Sequence, residues 1–217
     1  MKHAVAEFAK QLNIRPGVTA IIGGGGKTTL LYRLAQELSA GHSVIVATST
    51  HIFPPEHIPC VLRTGRVSGL LCVGTPCENG KLTAPEQSFE ELAQLADYVL
   101  IEADGSARRP LKAHDTHEPV IPANANQVIC VVGASGIGKA VEEAVHRPQL
   151  FTARSGQTVA TPEAIAAVLN QEHLHDRVLI NQADTPQRIA AAKELAALLT
   201  CPVTVASLQE GEILCSF

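Results

Sequence analysis

The sequence predicts a three-layer α/β fold with a mainly parallel sheet, and three observations carry that expectation. Six apolar runs are continuous rather than alternating, as strands buried on both faces require. Helical patterns separate several of them, so strand and helix alternate through most of the chain and right-handed crossovers follow. Aromatic residues are scarce (Phe 5, Tyr 2, Trp 0), so a hydrophobic fraction of 46% must be filled by Ala, Val, Leu and Ile.

In chain order, Lys2 to Leu12 carries apolar residues at Val5, Phe8, Ala9 and Leu12, the spacing of an amphipathic helix. Val18 to Ile22 reads as a strand that breaks into four glycines, and Leu30, Leu31, Leu34, Ala35 and Leu38 then repeat with helical period to Gly41. Further strands are expected at Ser43 to Thr48, Tyr98 to Ala103, Gln127 to Val132, Val178 to Asn181 and Val203 to Ala206. Helices are expected at Gln87 to Ala96, Thr161 to Leu169 and Pro186 to Leu199. Thr161-Pro162 and Thr185-Pro186 supply an N-cap followed by a first-turn proline. Between residues 52 and 84 the pattern changes to short runs, Cys60 to Arg63 and Gly69 to Val73, with Asn79-Gly80 beyond. That stretch reads as a small β-hairpin insertion. With no repeat, low-complexity tract or linker, residues 1–217 read as a single domain.

Composition removes several functions. Lys+Arg 17 against Asp+Glu 21 gives a formal net charge of −4, which leaves no cationic surplus for a nucleic acid backbone. No apolar run reaches the roughly 18 to 20 residues of a membrane span. Glu7 and Lys10 interrupt any secretory apolar stretch at the start. The expectation is therefore a cytoplasmic protein without membrane or nucleic-acid partners. The six cysteines form no C-x-x-C pair and are expected to be reduced, with Cys72 and Cys77, which flank a Gly-Thr-Pro turn, as the pair to watch.

The strongest signal is Gly23-Gly24-Gly25-Gly26-Lys27-Thr28-Thr29 between a strand and a helix. Phosphate oxygens need several backbone N–H groups at close range, which only residues without a Cβ permit. Lys27 adds a cation near the β and γ phosphates, Thr28 a hydroxyl for Mg²⁺, and the following helix its positive dipole end. The expected class is thus P-loop NTPase-like, binding Mg²⁺ and a nucleoside triphosphate, GTP or ATP. The loop is a variant, because Ile21 stands where the full pattern has glycine. Its G-x-x-G-K-T-T form is the one used by Mur-type ligases.

Tyr98 to Ile101 runs into Glu102-Ala103-Asp104-Gly105. An acid at the end of such a strand can hold Mg²⁺, and Gly105 can offer an amide to the γ-phosphate. Lys27, Glu102 and Asp104 are the candidate catalytic residues, and spacing alone leaves open which carboxylate meets the metal. Thr50, after the second strand, is a candidate contact to Mg²⁺ or γ-phosphate, with a turn cap as the alternative. Arg108, Arg109 and Lys112 could cover the γ-phosphate or dock an anionic substrate. His114, His117 and Glu118 match no zinc spacing and read as surface histidines of a loop.

Asn181-Gln182-Ala183-Asp184 resembles the N-K-x-D element of GTP-binding proteins, with Gln182 in place of lysine. A carboxylate at Asp184 can accept the N1–H and exocyclic amine of guanine, whereas adenine presents an acceptor at N1, so GTP is favoured. Ser207 is the candidate for a last base-contacting loop. Gly133 to Lys139 mimics a second phosphate loop, but Ala140 replaces the metal-ligand hydroxyl, and a turn leading into a helix is expected there.

Strand-G-G-G-G-K-T-T, Glu102-Ala103-Asp104-Gly105-Ser106, Asn181 to Asp184, Arg109 to Ala113 and His117 to Pro122 together resemble the YqeC family, accessory proteins assigned to selenium-dependent molybdenum hydroxylases. The acidic element is also similar to that of metallochaperone GTPases that load nickel into hydrogenase and urease. The resemblance implies the phosphate-loop role for Gly23 to Thr29, the metal-side role for Glu102 and Asp104, and a part in cofactor or selenium insertion. The implied partners are a molybdenum hydroxylase or its cofactor-maturation proteins. The expected activity is slow NTP hydrolysis. An ATP-dependent ligase or small-molecule kinase, and a nucleotide-sensing module without turnover, stand as alternatives.

Overall fold

The computed structural model describes residues 7–217. Its strands are β1 (Gly17–Gly23), β2 (Val44–Thr48), β3 (Cys60–Val61), β4 (Leu70–Val73), β5 (Thr75–Pro76), β6 (Leu82–Thr83), β7 (Tyr98–Glu102), β8 (Leu111–Lys112), β9 (Ala125–Gly133), β10 (Val145–His146), β11 (Arg177–Asn181), β12 (Val203–Ser207) and β13 (Glu212–Ser216). The helices are α1 (Phe8–Gln11), α2 (Lys27–Ser39), α3 (Phe89–Leu95), α4 (Val141–Ala144), α5 (Pro148–Ser155), α6 (Pro162–Glu172) and α7 (Pro186–Leu198). Of the expected first helix, Phe8–Gln11 is helical, and Lys2 to Ala6 lie outside the described residues.

Nine strands form one sheet in the order β13-β12-β11-β9-β1-β7-β2-β4-β3. Every pairing in it is parallel except that of β12 with β13. The continuous apolar runs become strands because both faces are covered. In β1, Val18, Ala20 and Ile22 belong to the core beneath α3, α5, α6 and α7, while Ile21 belongs to the core beneath α1 and α2. Alternate side chains along one strand thus supply two cores, which makes three layers. α2 buries Leu30, Leu31, Leu34, Ala35 and Leu38 on one stripe. Thr161 and Thr185 cap α6 and α7, their hydroxyls accepting from the amides of Ala164 and Arg188, and Ser88 with Glu91 forms a reciprocal capping box on α3.

The insertion between β2 and β7 differs from the expected hairpin. β3 and β4 are parallel to each other and extend the main sheet beyond β2, with Val44 opposite Leu70 and Cys60 opposite Cys72. The physical reason is the edge of β2: its N–H and C=O groups need partners, and Leu70–Val73 reaches them. Thr75–Pro76 and Leu82–Thr83, around Asn79-Gly80, make an antiparallel pair, and Ile52 bridges Leu82 in the same sense. β13 and α5 had no expected counterpart. The six cysteines are all free thiols.

The register gathers the carboxyl ends of the strands at one edge. Ile21 and Thr48 both pair with Glu102, Gly23 pairs with Val131, and Asn181 pairs with Gly133. From β1 the chain winds toward β2, β3 and β4, returns to β7, then crosses β1 to β9, β11 and β12. Such a reversal opens a crevice beyond the strand ends.

Candidate functional site

The crevice is a cleft of about 910 Å³ whose floor is the glycine loop. Gly23, Gly25 and Gly26 have φ of 96°, 73° and 123°, a region that L side chains avoid. The loop also lies too close to its neighbours for any side chain. A Cβ on Gly23 would fall 2.3 Å from the carbonyl oxygen of Val131, one on Gly24 2.7 Å from that of Arg109, and one on Gly25 2.4 Å from backbone atoms of Gly133. Asn181 locks the loop from β11: its Nδ2 donates to the Gly25 carbonyl oxygen (2.8 Å), and its Oδ1 accepts from the Leu208 amide (2.9 Å). α2 starts directly from Gly26, so its first amides open toward the cleft.

Lys27, Thr28, Thr29, Glu102 and Gly105 all line this cleft. Lys27 is 4% exposed; its ammonium donates to the Gly23 carbonyl oxygen (2.7 Å) and to Ser106 Oγ (3.2 Å). Thr28 Oγ1 donates to Glu102 Oε2 at 2.6 Å. Burial raises the Glu102 carboxyl above its usual range, against the pull of Lys27 and the Thr28 hydrogen bond.

The two candidate acids separate in space. Asp104 is fully buried and does not line the cleft. Its Oδ2 accepts from the Gly23 amide (2.9 Å), faces His114 Nε2 (2.9 Å) and lies 3.2 Å from the Lys112 ammonium. Its Oδ1 makes an ionic contact of 3.1 Å with Lys27 but accepts no aligned hydrogen bond. Burial alone would raise its carboxyl; the His114 hydrogen bond with the Lys27 and Lys112 charges outweighs that and lowers it. Asp104 therefore clamps the loop from below, whereas Glu102 presents an oxygen next to Thr28 at the rim. Thr28 and Glu102 are the oxygen pair that suits a hard divalent cation.

His114 departs from the expected surface histidine. It is 2% exposed, with Nδ1 2.6 Å from Glu172 Oε2 and its amide donating to Glu172 Oε1 (2.8 Å). Burial disfavours its charge, yet Asp104 and Glu172 win and raise it. Arg154 completes the chain by bonding Glu172 and the His114 carbonyl oxygen (2.6 Å). Glu118 bonds Lys112 and Arg147, while His117 is exposed. No group of three or more His, Cys, Asp or Glu among the described residues could hold a metal by itself.

The base-reading candidates sit beside the cleft. Gln182 lines it, accepting from Ser135 Oγ (2.5 Å), but Asp184 and Ser207 do not. Ser207 Oγ donates to Asp184 Oδ1 (2.6 Å), and Arg188 donates to Oδ2 (3.2 Å). The Thr50 amide donates to Thr48 Oγ1 at the end of β2 (3.0 Å), and Thr50 does not line the cleft. Gly133 to Lys139 forms a 3-10 turn before α4, as expected of a loop without a metal hydroxyl.

The opposite wall was not anticipated: Tyr32 and Gln36 of α2, His51 to Ile58, and Lys81, whose ammonium stands 5.1 Å over the Phe53 ring. No motif marks these residues, which meet only through folding of the insertion.

Among the described residues no helix is long and apolar enough to cross a membrane. Compared with known proteins, the chain is 38% identical over 160 residues to the uncharacterized protein YqeC of Escherichia coli (strain K12), covering 66% of this chain and 62% of that relative. The chain thus spans less than two thirds of the relative's length. The sequence profile of the YqeC protein family matches residues 19–149, which include the glycine loop, β7 and the 105–118 segment but not Asn181 to Asp184. With more than half of its length matched by that profile, the chain belongs to the YqeC family.

Proposed function

We propose that this protein binds a magnesium nucleoside triphosphate in the glycine-loop cleft and hydrolyses it slowly, with GTP favoured over ATP. The observation that carries the reading is the loop itself: three positive-φ glycines at which any Cβ would fall 2.3 to 2.5 Å from a neighbouring atom, with a buried lysine and a Thr–Glu pair at its rim. Such a loop excludes side chains and exposes amides, which is what a polyphosphate needs.

In this reading the loop amides and Lys27 bind the β and γ phosphates, and Thr28 with Glu102 holds Mg²⁺, which supplies charge neutralisation between the β and γ phosphates. Asp104 keeps Lys27 and the Gly23 amide oriented. The Thr28 hydroxyl hydrogen, which now points at Glu102, would turn away so that the hydroxyl oxygen faces the cation. The choice of guanine against adenine rests on Asp184, which stands two residues past the cleft-lining Gln182 in sequence.

The YqeC resemblance supports a biological setting in which turnover gates cofactor or selenium insertion into a molybdenum hydroxylase. A second reading, a kinase or ligase, draws on the opposite wall: Tyr32, His51, His57 and Lys81 leave space for an acceptor beyond the phosphate loop. Titrating GTP and ATP separately in Mg²⁺, then following products, tests both. Release of inorganic phosphate supports the NTPase, phosphoryl transfer to an acceptor supports the kinase or ligase, and absence of binding overturns both.

A further inference from the structure

Three cations follow β7, and the fold uses them differently. Lys112 is buried, 3.2 Å from Asp104 and donating to the Gly105 carbonyl oxygen at 2.5 Å. Arg109 gives its carbonyl oxygen to the Gly25 amide at 3.2 Å, so its main chain is tied to the glycine loop. Arg108 is exposed and lines the cleft, and among the described residues it has no ion-pair partner.

The backbone that presents Arg108 is unusual. Ala107 and Arg108 have φ of 47° and 60°, although neither is Gly, Asn or Asp. The Arg109 amide donates to the Ser106 carbonyl oxygen (2.8 Å), closing a four-residue turn with two left-handed central residues, as in a type I′ turn. L residues adopt that conformation at a cost, and such strain collects where a side chain must be held in one place. Ser106 also accepts from Lys27 (3.2 Å), so both ends of the turn are anchored to the phosphate loop.

We infer, on the reading of this loop as a phosphate site, that Arg108 recognises the terminal phosphate of the nucleoside triphosphate from within the same chain. A guanidinium fork can meet two oxygens of that phosphate, which a diphosphate lacks. The turn therefore couples the presence of the γ-phosphate to the segment leading into Lys112 and His114.

The test is calorimetric titration of the full chain, in Mg²⁺, with guanosine β,γ-imidotriphosphate and with GDP, repeated for the adenine pair. In Arg108→Ala, the triphosphate Kd should rise about 10- to 100-fold while the diphosphate Kd stays within about 2-fold, the latter also reporting an intact fold. Arg108→Lys, which keeps charge without the fork, should fall between the two. Equal weakening of both nucleotides, no weakening, or the effect appearing in Arg109→Ala alone would overturn the inference. Failure of the phosphate-site reading looks different: the unmodified chain binds neither nucleotide, or Lys27→Ala binds as the unmodified chain does.

Discussion

Thr28 Oγ1 donates a 2.6 Å hydrogen bond to Glu102 Oε2, joining the first turn of α2 to the last residue of β7. The contact spans 74 residues of sequence and sets the two oxygens that a divalent cation would meet side by side. Glu102→Gln keeps an amide oxygen but removes the charge. The gain in triphosphate affinity on adding Mg²⁺ should then shrink about tenfold, roughly one charge-assisted interaction, measured by titration with Mg²⁺ and with chelator.

Lys27→Ala removes the ammonium that touches Gly23, Ser106 and Asp104. A charge-assisted contact of about 1.5–3 kcal/mol corresponds to triphosphate binding weakened by roughly 10- to 150-fold. Calorimetry at saturating Mg²⁺ checks this, and unchanged binding would remove the site assignment.

Two glycines at the site should respond unequally to alanine. At Gly25 the new Cβ would meet Gly133 backbone atoms at 2.4 Å on a backbone with φ of 73°. Gly25→Ala is expected to cost at least about 2 kcal/mol, lowering Tm by roughly 4–8 °C in a chain of this size. Gly105 meets nothing within 4 Å and has no positive φ, so Gly105→Ala should change stability by no more than about 0.5 kcal/mol. Thermal denaturation of both variants decides it.

Asp184→Asn tests base preference. Its carboxylate now accepts from Ser207 and Arg188, and an ionised carboxylate keeps further acceptor sites. GTP affinity should fall about tenfold more than ATP affinity, one hydrogen bond to a charged group. Equal losses in parallel titrations would end the guanine assignment.

His114 should make stability depend on pH. Asp104 and Glu172 raise it above its ordinary 6.5, so folding favours the protonated ring. Its contribution is complete below the unfolded value and is lost as pH rises through the raised folded value. The stability gap between the unmodified chain and His114→Gln should therefore be widest below the ordinary value of 6.5 and narrow as pH rises above it, measured by denaturant titration. Asp104, lowered below 3.8, acts on the other side: its contribution is present above that value and lost as acid protonates it.

Local pattern carried much of the architecture. Val18 to Ile22 and Val178 to Asn181 could be recognised as buried strands because each is apolar at every position, and Thr161-Pro162 marked a helix start through chemistry confined to a few residues. The runs that become β3 and β4 were visible, but their parallel place in the main sheet escaped because each is short and gains that place by pairing with a distant edge, β4 on β2 and β3 on β4. β13 is half exposed and antiparallel, so it lacks the continuous apolar signature of the others.

The amino-acid sequence by itself determined where the glycine loop lies, which strand ends in acid, and that helices cover a parallel sheet, since these depend on neighbours a few positions apart. Tertiary structure alone decided that Glu102 faces the cleft while Asp104 faces inward. It also decided that His114 meets Glu172, 58 residues away, and that Asp184 turns to Ser207 and Arg188. The reason is that a carboxylate's role follows from its solvation and its charged partners, and both are set by strand register and by which distant segments pack against the strand's end.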